Sequence, residues 1–67
     1  DALPNKTALA KGDALYVELT GSERARLGEV LAHFRAALES QDAQLIDPLR
    51  ERLIALINTL GQLHRSS

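Results

Sequence analysis

Glu29 and His33 stand four residues apart. On a helix that spacing puts both on one face, where they could offer a metal one oxygen and one nitrogen. A zinc site needs three or four protein ligands. The chain has no cysteine, and its one other histidine, His64, lies close to the C-terminus. His33 also falls off the apolar face of its own segment, so a solvated histidine is expected, and the same holds for His64. Asp47 and Glu51 repeat the spacing with two carboxylates, as general acid–base chemistry would need. Arg50 and Arg52 surround them, the pattern of an ordinary charged helix face. Serines 22, 40, 66 and 67 sit at turns or in the tail with no histidine beside them, and no nucleophile elbow is present. The stretch "KGDAL" (residues 11–15) has one glycine and lacks the Gly-Lys-Ser/Thr ending of a phosphate loop. No catalytic, cofactor-binding or metal-ligating group is expected, and the chain reads as no enzyme.

Arginines are the other residues that invite a function. Arg24, Arg26 and Arg35 lie in one segment, and Arg50, Arg52 and Arg65 in another. A recognition helix for DNA needs a polar outward face and a basic surplus. Here eight basic residues face nine acidic ones, and the last segment is rich in leucine and isoleucine. No nucleic-acid partner is expected. Nor is a membrane partner, since no apolar run approaches the roughly 20 residues of a span. The start, "DALPNK", lacks the basic and apolar regions of a signal peptide. Absence of cysteine excludes a disulfide framework and fits a cytoplasmic location. Asp1 is not methionine, and the chain is expected to be a C-terminal piece of a longer one.

The elements that carry these residues follow from apolar spacing. Leu27, Val30, Leu31, Phe34 and Leu38 recur at steps of three and four, one face of an amphipathic helix. Thr20 with Glu23 three residues on has the capping-box pattern at its start, and Arg35 and Glu39 are spaced for a surface ion pair. Ile46, Leu49, Leu53, Leu56, Leu60 and Leu63 alternate steps of three and four in a third segment. Ile57 widens that stripe, while Ile54 lies off it, so contact on two sides of this helix is expected. A weaker leading segment carries Ala8, Leu9, Leu15, Tyr16 and Leu19, with Gly12 in its middle at a cost of about 1 kcal/mol relative to alanine. The predicted helices span about 5–19, 21–39 and 43–63. Short links favour antiparallel neighbours. The expected architecture is all-α, a single helical domain over residues 1–67. It is an antiparallel three-helix bundle, with a strong hairpin and a looser leading helix. Its core is placed at Leu19, Leu27, Val30, Leu31, Phe34, Leu38, Leu49, Leu53, Leu56 and Leu60. Exposure of Ile54, Leu9 and Tyr16 would favour a weak homodimer.

Two caps compete in "SQDAQLIDPLRERL" (residues 40–53). Asp47 would place Pro48 at the favoured first helical position, while Asp42 would put Pro48 inside the helix at a cost of roughly 3 kcal/mol. The apolar stripe is already in phase at Ile46. A start at Asp47 would bring Arg50 to the positive end of the helix dipole. Asp42 is therefore the expected cap, with Pro48 bending the second turn.

The run "LTGSERARLGEVLAHFRAALESQDAQLIDPLRERLIALINTLGQL" (residues 19–63) resembles the C-terminal helical lid of bacterial DnaK-type chaperones, the seventy-kilodalton heat-shock family. The likeness runs through Leu19-Thr20, Glu23-Arg24, the stripe from Leu27 to Phe34, Ala37-Leu38, Gln41-Asp42 and Ile46 onward. "ALYVEL" before it is similar to the end of the family's long lid helix. Among bacterial members a divergent HscC-like branch is the better match. Pro48 departs from the pattern, and "HRSS" lacks the acidic tail through which eukaryotic members bind co-chaperones. The resemblance implies a distal lid piece of a stress-response chaperone that assists protein folding. In such a parent, an upstream domain binds and hydrolyses ATP, a β-sandwich holds extended client polypeptide, and the lid slows client release. This piece would hold no cofactor of its own. An independent helical protein–protein interaction module is the competing expectation.

Overall fold

The computed structural model describes residues 2–66, with side chains described for 3–65. Expectations attached to Asp1 and Ser67 lie outside the described residues. Three helices follow one another: α1 (Ala2–Tyr16), α2 (Gly21–Ser40) and α3 (Ala43–Ser66). They form an all-α three-helix bundle without strands among the described residues. It measures 37 × 18 × 16 Å. The long dimension is that of α3, whose 24 residues span about 36 Å at 1.5 Å per residue. Contacts of Asn5 with Arg50 and of Glu18 with His64 set α1 parallel to α3. Tyr16 against Gly28, and Asp13 with Arg35, set α2 antiparallel to α1. Among the described residues, no helix is long and apolar enough to cross a membrane.

α1 begins three residues earlier than predicted and ends three earlier. Pro4 sits in its first turn, where the missing N–H would have had no partner anyway. Beyond Tyr16 the chain tightens, and the Leu19 amide donates to the carbonyls of Leu15 and Tyr16 at 3.2 and 3.3 Å. This turn drives Leu19 into the core, where it is almost fully buried. Gly21 then reverses the direction with φ +64°, a conformation that costs an L side chain but not glycine.

The capping box at Thr20 and Glu23 does not form. Thr20 occupies the cap position with extended backbone, but its hydroxyl accepts no capping hydrogen bond. Side-chain capping needs right-handed backbone through the first turn, and left-handed Gly21 breaks that geometry at once. At the other end α2 closes on Gln41, left-handed at φ 59°, whose amide donates to Leu38 at 3.2 Å. The Ser40 hydroxyl donates to the Ala37 carbonyl at 2.6 Å and accepts from the Asp42 amide at 3.3 Å.

The competition between caps is resolved by geometry. The Gln44 amide donates to Asp42 Oδ1 at 2.9 Å, and the Ile46 amide donates to the Asp42 carbonyl at 2.9 Å. Pro48 lies inside α3. Asp47 is left to pair with Arg50, 3.1 Å away along the same helix. α3 continues through His64 and Arg65, three residues past the predicted end, where basic side chains suit the negative end of the dipole.

The buried core comprises Ala8, Leu19, Leu27, Val30, Leu31, Phe34, Ala37, Leu53 and Leu60. Leu38, Leu49 and Leu56 are half-buried at its margin, with Leu9, Leu15, Tyr16, Ile46 and Ile57. Ala8 and Ala37 were absent from the predicted core. Small residues enter such a core where two backbones approach closely. Gly12 shows how closely: a Cβ there would lie 2.7 Å from Leu31 Cδ2, and one on Gly28 would lie 2.9 Å from the Tyr16 ring.

Candidate functional site

Glu29 and His33 lie exposed on α2, and Asp47 and Glu51 lie exposed on α3. Among the described residues, no group of three or more His, Cys, Asp or Glu side chains is placed to hold a metal ion. No described buried side-chain polar atom lacks a partner.

Polar residues instead tie helices together. Arg35 Nη2 donates to both carboxylate oxygens of Asp13, at 2.6 and 2.8 Å. The expected pair of Arg35 with Glu39 is thus replaced by a clamp between α2 and α1. A carboxylate that offers both oxygens from the neighbouring helix outcompetes a flexible one a turn away. The Arg24 guanidinium stacks over Tyr16 at 4.6 Å from the ring centroid. Arg50 Nη1 donates to Asn5 Oδ1 at 2.9 Å, and His64 Nε2 lies 3.3 Å from Glu18 Oε1, an ion pair when the imidazole is protonated.

What remains open is a groove between α1 and α3, of about 390 Å³. Leu3, Pro4, Ala8, Ile54 and Ile57 give it apolar walls, and Thr7, Lys11 and Asn58 are its polar groups. It continues as a shallower trough past Gly61 to Glu18 and Arg65. Ile54, the isoleucine that fell off the main stripe, is 40% exposed here. A second groove, of about 320 Å³, runs between α2 and α3, where Arg26, Glu29 and Arg52 flank Val30 and Leu56. Neither groove brings a nucleophile to a base. Both present apolar strips edged by charged side chains.

No protein-family model matches the chain, and no solved structure matches it. The likeness of residues 19–63 to the DnaK-type lid therefore stands on the sequence pattern alone.

The candidate core, cap and kink residues are structural positions, and the structure distributes them along all three seams without gathering them at one spot. The α1–α3 groove escaped the sequence reading except through Ile54. Leu3 and Pro4 looked like residues ahead of a helix, and only the early start of α1 carries them onto its surface.

Proposed function

We propose that this chain is the distal lid piece of a cytoplasmic DnaK-type chaperone, a non-catalytic rigid cap. It favours the closed state over client polypeptide and slows client release. The observation that carries the proposal is the order of elements. The end of one helix, at Tyr16, leads through a tight turn into an antiparallel pair joined by Gln41 and Asp42. That order is what the resemblance of residues 19–63 implies. A bundle braced by ion pairs between helices can act at the end of a lever without touching the client or nucleotide.

The effect belongs to the dissociation rate, because closure traps what is already bound. A bias of roughly 1–2 kcal/mol toward the closed lid slows release by roughly five- to thirtyfold. The test is deletion of this segment from its full-length parent, with release of a labelled peptide followed in ADP. Faster release supports the proposal. Unchanged release, or a parent frame without a nucleotide-binding domain and a β-sandwich, overturns it. The second reading, an independent protein–protein interaction module, is favoured by the α1–α3 groove and its exposed Leu3 and Ile54.

A further inference from the structure

One stripe of α3 runs along its α1–α3 side, at steps of four, three, four, three and four: Asp47, Glu51, Ile54, Asn58 and Arg65 are exposed, and Gly61 is buried beside the Arg65 guanidinium. Its last four residues line the groove and its extension. Acid stands at the N-terminal end, base at the C-terminal end, and the isoleucine lies between. The spacing reads the same in both directions about the level of Leu56.

We propose that this face is a docking surface for a second copy of the chain, laid antiparallel across it on a two-fold axis at the level of Leu56. The axis brings Asp47 to Arg65 of the second copy, Glu51 to its Gly61 and Ile54 to its Asn58, and every contact occurs twice. A parallel arrangement would set Asp47 against Asp47 and Arg65 against Arg65, so charge selects the antiparallel one. Among the described residues neither Glu51 nor Arg65 has an ion-pair partner within the chain.

Gly61 supplies an independent observation. Gly12 is needed by its own fold, because a Cβ there would run into the buried Leu31 side chain, and a Cβ on Gly28 would meet the Tyr16 ring. At Gly61 the nearest group to a Cβ is the guanidinium of Arg65, Nη1, at 3.4 Å. Nothing else inside the bundle asks for a glycine there, although it weakens the helix by about 1 kcal/mol. Gly61 lets that guanidinium lie close against the helix, where in the paired state Glu51 of the second copy meets it. Lys11, on α1 beside the axis, is the like charge that the pairing brings close to its own copy, and it keeps association weak. The proposal does not depend on the lid reading.

Sedimentation and NMR dilution of the 67-residue chain test it. The expected result is a dimer at high concentration that dissociates with added salt. Glu51→Arg and Arg65→Glu should each weaken association about tenfold. The triple variant D47R/E51R/R65E exchanges acid for base at every charged position of the stripe on both copies and should recover association to within about threefold of the original. Gly61→Ala should raise the melting temperature while weakening association, a split that a purely internal role would not produce. A chain that stays monomeric at millimolar concentration overturns the proposal and leaves the groove to a foreign helix. Single reversals without effect, or a triple variant no better than either single, overturn it as well.

Discussion

Between α2 and α3 the contact is apolar: Leu27, Val30, Phe34 and Ala37 are buried on one side, and Leu53 and Leu60 on the other. Between α1 and its neighbours the means are different. Of its described residues, α1 buries only Ala8 and Gly12, with Leu9, Leu15 and Tyr16 half-buried at the core's margin. It is held by close approach at Gly12 and Gly28, by Asp13 on Arg35, by Tyr16 under Arg24 and by Asn5 on Arg50. The first seam gains free energy from area removed from water. The second gains it from dispersion at short range and from polar clamps that are half in solvent. The contrast teaches that a helix can join a bundle without a strong apolar stripe, provided small residues let it come near enough.

The largest expected effect breaks the apolar seam. Phe34 is fully buried, and Phe34→Ala should cost about 3–5 kcal/mol, enough to unfold so small a domain. Urea denaturation followed by circular dichroism reads this directly, and an unchanged midpoint would contradict the assignment of the core. Next is Pro48→Ala, which returns a backbone donor for the Gln44 carbonyl and should stabilise by about 1–3 kcal/mol, since proline inside a helix costs about that much. A lower melting temperature in this variant would mean that the proline is needed where it stands.

Gly12→Ala probes the other seam. Alanine improves helix propensity by about 1 kcal/mol, but its Cβ must displace the buried Leu31, at an overpacking cost of about 1–3 kcal/mol. The net expectation is destabilisation of about 1 kcal/mol. Gly28→Ala meets the half-buried Tyr16 ring, which has room to slide, and should stay within about 0.5 kcal/mol of the parent by the same balance. Equal effects from the two variants would remove the distinction between a fixed and a movable neighbour. The smallest effect is the Asp13–Arg35 clamp. Both side chains are about half exposed, at 52% and 51%. A double-mutant cycle with Asp13→Ala and Arg35→Ala should return a coupling below about 1 kcal/mol that fades with salt.

Much of the hairpin was legible because its signals are local and periodic. Steps of three and four place Leu27 to Phe34 on one face whatever they pack against, and Asp42 accepts from an amide two residues away. The misses have one cause. Thr20 has the right residue type for a cap, but Gly21 takes a left-handed conformation to reverse the chain, and no local pattern states that. Arg35 was matched to Glu39 by spacing, whereas its carboxylate partner comes from a helix distant in sequence.

By itself, then, the sequence determined that the chain is helical, where α2 and α3 run, which of their faces are apolar, and that Asp42 rather than Asp47 starts the last helix. Hydrogen bonding within a helix and the 3.6-residue period act over a few residues, so the local string suffices. Tertiary structure alone decided how α1 is held, that Gly12 is a contact rather than a defect, that Arg35 belongs to Asp13, and that Leu3 and Ile54 share a groove. Each of these depends on the distance between two helices, which is set by the sum of all contacts across the bundle.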